Sequence, residues 1–173
     1  MQVMSVLCPV PGGVLLLLKP GFTRHAPQIL ADLADMAGDD QINIASPPPF
    51  RLTREDVQAI WGHAEAKMGP RYSEMVAYLM SGPVRAIFAS SSSPDFAKMV
   101  RTRVGTTDPR MAGINTWRWR WSTLDVDSPT YYRNVLHAAT DADEASQNLS
   151  ALAHHLGYTG TIGGMVLCQP GKF

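Results

Sequence analysis

The chain has 173 residues, enough for one domain to bury a core without disulfide or metal staples. Its 15 basic and 15 acidic residues cancel, which argues against nucleic acid or an anionic membrane as partner; any anion site must be built locally. Cys8 and Cys168 lie near opposite ends without metal-ligand spacing and read as free thiols in a reducing compartment.

The first thirteen residues are apolar but lack a basic start, and Pro9, Pro11, Gly12 and Gly13 break them up. The run that follows, "VLLLL" at 14–18, is too short to span a bilayer. The expectation is a short tail over 1–13 on a soluble, cytoplasmic protein, then a central strand covered on both faces. Leu30, Leu33, Ala34 and Ala37 recur at helical spacing, and Gly38 supplies a stop. "QINIAS" (41–46) alternates like a strand, and Thr53 is placed to cap a helix whose stripe is Val57, Ile60, Trp61 and Ala64. "YSEMVAYLM" continues as a second helical piece and "VRAIFAS" (84–90) as a strand.

Ser93-Pro94 fits a cap followed by proline at the first helical position, with Phe96, Met99, Val100 and Val104 as the buried side. Residues 105–133 are rich in turn formers. Within them "TWRWRW" (116–121) alternates with period two and predicts an exposed-edge strand packing its tryptophans; a stacking surface for single-stranded nucleic acid is the alternative, opposed by the zero net charge. Asn134 to His137 reads as extended, and Ala142, Ala145, Leu149 and Leu152 mark a last helix. Thr140 as its cap, with Asp141, Asp143 and Glu144 in the first turn, suits a helix N-terminus better than a metal site. His154 and His155 read as charge complements at its other end. The order predicts an α+β domain, a four-stranded antiparallel sheet with packed helices built as βαββαβ, over 14–156, with a glycine-rich tail at 157–173.

Five stretches occur in a telling order: "LLLLKP", "YLMSGPV" (78–84), "RTRVGTTDP" (101–109), "NTWR" (115–118) and "RNVLHAATDADEA" (133–145). With them the chain resembles the nucleoside diphosphate kinase family from about Val14 to Leu156. The resemblance implies a ferredoxin-like fold and a ping-pong reaction. A histidine takes the γ-phosphoryl of a nucleoside triphosphate and passes it to another nucleoside diphosphate. The matching histidine is His137, whose ring is nucleophilic when neutral, as an imidazole of pKa about 6.5 largely is at pH 7. The family motif assigns Lys19, Arg101 and Arg118 to the phosphate oxygens, Thr107 to a phosphate, and Asn134 to ribose hydroxyls or a phosphate. Mg²⁺ would arrive with ATP or another nucleoside triphosphate, bridging its phosphates, so no protein metal cage is expected.

The chain also departs from the family pattern. Ala139 replaces a serine after the nucleophile. Asn148 stands where an acidic residue helps to hold the imidazole. The tyrosine near the phosphates becomes His63, the base-stacking phenylalanine becomes Arg71 (with Tyr72 beside it), and Gly21 replaces an aspartate. Two other readings follow: a nucleotide-binding or scaffolding protein without turnover, motivated by Ala139 and Asn148, and a kinase for an unusual nucleotide or metabolite diphosphate, motivated by Arg71 and the "RWRW" segment. The resemblance further implies a homo-oligomer, hexamer or tetramer.

Overall fold

The computed structural model describes residues 13–122 and 130–155, and beyond them three short strands. Strand β1 is Ser5–Val6 and β2 is Val14–Leu18. Helix α1 (Ala26–Ala37) leads to β3 (Ile42–Ala45), and three helices follow, α2 (Arg54–Trp61), α3 (Glu65–Met68) and α4 (Arg71–Met80). Next come β4 (Arg85–Ser91), α5 (Phe96–Val104), α6 (Trp117–Trp121), β5 (Leu136–Ala139) and α7 (Ala142–Leu152). Strands β6 (Tyr158–Ile162) and β7 (Met165–Cys168) pair with each other and β7 with β1, in a separate three-stranded sheet. The two regions read as tails thus share a ladder.

The main sheet has the order β3-β4-β2-β5, and all its pairs are antiparallel. This is the expected ferredoxin-like α+β arrangement. Strand β2 is central and wholly buried because period-two alternation sends its side chains into two cores. Leu15 and Leu17 meet α2, α4 and α7; Val14, Leu16 and Leu18 meet α1, α5 and Trp117. Each fully buried leucine contributes about 1.5–3 kcal/mol, so the strand is fixed in register by its own apolarity.

Local chemistry explains the helix ends. Thr53 and Asp56 form a reciprocal capping box at the start of α2, and Gly38 ends α1 at φ +58°. Elsewhere the structure corrects the sequence reading. The buried stripe of α1 is Ala26, Ile29, Leu33 and Ala37, with Ala34 exposed. Helix α5 starts after Ser93-Pro94, with Asp95 at its N-cap, and Met99 is exposed. The cap of α7 is Asp141, which accepts from the Glu144 N–H, rather than Thr140. His154 and His155 face Asp56 of α2 instead of the carbonyl end of their own helix.

The largest correction concerns "TWRWRW", which is helical. Thr116 caps it by accepting from the Trp119 N–H, and one turn then places Trp117 and Trp121, four residues apart, toward the body. Trp117 is buried and donates from Nε1 to Asp32 at 2.7 Å, while Trp121 stacks on His25. An i, i+4 pair and a period-two pair coincide over so short a stretch, so the pattern alone could not separate them.

Candidate active site

The end of β2 and the start of β5 lie side by side: Leu17 pairs with His137, and the Lys19 N–H donates to the Val135 carbonyl at 3.1 Å. Leu136 falls in the core under α1 and α5, so its neighbour His137 points to the opposite face, toward α2 and α7. There the imidazole meets Trp61 edge-on, with centroids 5.0 Å apart, and its Nε2 lies 2.8 Å from Asn148 Nδ2. Glu144, one turn earlier on α7, reaches within 3.7 Å of the same nitrogen. Among the described residues no group holds Nδ1.

A cavity of about 800 Å³ opens beside this ring. Its lining includes Lys19, His63, Arg101, Thr107, Arg118, Asn134 and His137, seven of the eight residues singled out in the sequence. It also includes Trp61, Lys67, Thr106, Tyr131 and Glu144. Arg71 is not brought in: Gly69 and Pro70 break the chain before α4, and Arg71 stands exposed on that helix's first turn. Tyr72 is buried and its hydroxyl donates to Gln58, so it does not take over; Ala64, Met68, Met75 and Leu79 line that side instead.

Several of these side chains are themselves held rigidly. Lys19 Nζ donates to the Tyr132 carbonyl at 2.6 Å and to Asn134 Oδ1 at 2.9 Å. Asn134, completely buried, donates from Nδ2 to the carbonyls of Thr107 and Tyr131. It is therefore the tie between the lysine and the 105–116 loop, and its amide is already engaged. Arg118 donates to the Gly105 carbonyl at 2.8 Å and to the Leu136 carbonyl through Nε and Nη2. That uses three of the five guanidinium N–H groups and leaves two. Arg120 is exposed, with its guanidinium near the Trp121 ring, which settles which arginine of α6 lines the cavity. Gly105 sits at φ +85°, and a Cβ there would meet Thr116 at 2.7 Å; only glycine gives the turn that presents its carbonyl to Arg118.

The electrostatics follow from this packing. Burial, then Lys19, Arg118 and His63, push the His137 pKa down to about 3, so the ring is neutral throughout the physiological range. Burial also lowers Arg118 to about 10, and lowers Lys19, which the charge of Arg118 depresses further. Burial first and Asp141 next raise Glu144, against the pull of His63 and Arg101. A neutral ring ringed by cations can attack a polyanion and stabilise the charge on its oxygens. Sequence reasoning missed Glu144 and Trp61 as members of this site. The i, i+4 spacing of Glu144 and Asn148 was the available signal, since it places both on one face of α7.

The nucleoside diphosphate kinase family model matches residues 14–155. The nucleoside diphosphate kinase of Chlorobaculum tepidum is 30% identical over 134 residues, covering 76% of this chain and 86% of that protein. That of Archaeoglobus fulgidus is 36% identical over 88 residues, covering 51% of this chain and 53% of that protein. Among solved structures, the apo enzyme of Encephalitozoon cuniculi superposes with a TM-score of 0.64 at 21% identity, covering 81% of this chain and 87% of that one, a likeness of fold. The chain belongs to the nucleoside diphosphate kinase family, transferases that move a phosphoryl group between nucleotides through a phosphohistidine.

Proposed function

We propose that His137 Nδ1 is the atom that carries the phosphoryl group, within a catalytic unit of residues 14–156. The observation that carries this reading is the convergence of Lys19, Arg101 and Arg118 on the cavity that the His137 imidazole enters. The Nδ1 lone pair attacks the γ-phosphorus in line, and the bond to the bridging oxygen breaks with its electrons leaving on the nucleoside diphosphate. The second half reverses these events with a different diphosphate as acceptor. Attack requires the ring proton on Nε2. A half-turn of the Asn148 carboxamide, which leaves its shape unchanged, lets Oδ1 accept that N–H and frees Nδ1. The positive charge that then develops on the ring lies beside the Glu144 carboxylate.

Lys19 serves as a point charge on the transferring group. Arg101 and the two remaining donors of Arg118 take phosphate oxygens. Thr107 offers a hydroxyl, and His63 closes the phosphate side. Asn134 acts by holding Lys19. The cavity lining, with Lys19, Lys67, Arg101 and Arg118 against the one carboxylate of Glu144, suits a nucleotide that would bring its own Mg²⁺, whose chemistry would be charge compensation on the phosphates. Exposed Met111, Ile114 and Trp119 support assembly into a homo-oligomer. Among the described residues no helix is long and apolar enough to cross a membrane.

The test is incubation with γ-labelled ATP and Mg²⁺. The protein should acquire label that acid removes and alkali spares, that a second nucleoside diphosphate discharges, and that His137→Gln lacks. A second reading, binding without turnover, is favoured by the uncharged Asn148 against the ring. It predicts nucleotide binding without label. A specialised acceptor loses its motive, since Arg71 lies outside the cavity and "RWRW" is a short capped helix.

A further inference from the structure

Apart from the nucleotide cavity, the turn after α7 and the first turn of α2 bring three metal-ligating groups together. His154 Nε2 lies 3.5 Å from Asp56 Oδ1, and His155 Nε2 lies 2.7 Å from Asp56 Oδ2. All three ligand atoms fall within 4.8 Å of one another. We propose that Asp56, His154 and His155 form a site for a borderline-soft divalent cation of the zinc class, which clamps α2 to α7.

The donor set suits that cation. Two imidazoles and a carboxylate leave a fourth, open position for water, as zinc accepts readily. With zinc–ligand bonds of about 2.0–2.2 Å, the ligand atoms of a tetrahedral site stand roughly 3.3 Å apart. His154 Nε2 stands 3.5 Å from Asp56 Oδ1, close to that value, and the three ligand atoms within 4.8 Å of one another need only a small contraction to reach it. His154, its side chain 58% exposed, has room to make the remaining adjustment.

The other two ligands are already oriented. Asp56 is 2% exposed, and its Oδ2 accepts the Thr53 N–H at 2.7 Å, leaving Oδ1 toward His154. The His155 ring stacks on Phe50 with centroids 4.6 Å apart. Such supporting contacts fix ligand orientation in metal sites. Burial alone pushes the Asp56 carboxyl up, but the bonds from Thr53 and His155 hold it below its ordinary value. The pocket therefore sets a buried carboxylate against two imidazoles, a donor set that a divalent cation completes. The clamp joins the helix that carries Trp61 to the helix that carries Asn148 and Glu144, and these two flank the nucleophile.

The experiment uses the full chain, stripped with EDTA, titrated with zinc chloride by calorimetry and with cobalt chloride by visible absorption. One zinc per chain at micromolar or tighter Kd is expected, with cobalt giving the intense bands of a four-coordinate site. His154→Gln, a change at an exposed ring that leaves the fold intact by circular dichroism, should weaken zinc binding at least tenfold. His154→Gln with His155→Gln should abolish the cobalt bands, while His137→Gln should keep them. Zinc binding that survives the double substitution, or that vanishes with His137→Gln instead, overturns the proposal, as does the absence of stoichiometric binding.

Discussion

The carboxamide of Asn148 meets the Nε2 of His137 at 2.8 Å, at the face where α7 crosses the end of β5. This one contact orients the ring and determines which of its nitrogens holds the proton. Asn148→Ala should therefore lower kcat/KM by about 10²-fold with little change in nucleotide affinity, since misorientation acts on the chemical step. Steady-state kinetics beside nucleotide titration checks this; an equal loss of affinity would make Asn148 a binding residue instead.

Glu144 supplies the negative charge nearest the same nitrogen, at 3.7 Å. Glu144→Gln should slow phosphorylation of the ring, and adding Asn148→Glu to that variant should recover rate by returning a carboxylate to the ring. Single-turnover labelling measures both. Unchanged rates in Glu144→Gln would remove the carboxylate from the mechanism.

The depressed pKa of His137, about 3, has a stability consequence of definite sign. Between about pH 6.5 and the folded value the unfolded chain binds a proton that the folded chain refuses. Folding stability is therefore lost as pH falls below about 6.5, by about 1.4 kcal/mol per unit from this ring alone. Urea unfolding at pH 7, 6 and 5 should show that slope in the wild type and a shallower one in His137→Gln.

Lys19 and Gly105 test the frame that holds the site. Lys19→Met leaves the Tyr132 carbonyl and Asn134 Oδ1 without their donor and should cost about 1–3 kcal/mol, besides most of the activity. Gly105→Ala forces a Cβ to 2.7 Å from Thr116 at positive φ and should cost on the order of 1–3 kcal/mol while loosening Arg118. Denaturant midpoints and activity on the same samples separate the two effects.

Much of the fold was legible because its strands and helices are patterned by burial. "VLLLL" has an apolar residue at every position because both faces of β2 are covered, and Thr53 marks the start of α2. Positions that answer to tertiary contacts were not legible. Arg71 sits one residue past a Gly-Pro break, and only the path of the chain decides that it faces solvent. Asn134 has the chemistry of a ligand contact, yet its amide is already committed to Lys19 and two carbonyls. Glu144 is doubly explained, as a first-turn acid and as a neighbour of His137, and the first role concealed the second.

The T-shaped contact between the Trp61 indole and the His137 ring gives the molecule an optical witness. A dianionic group arriving on that imidazole alters the field at the fluorophore. Each half of the exchange should thus register as a change in intrinsic emission, and stopped-flow mixing could follow occupancy of the ring in real time, without isotope or coupling enzyme.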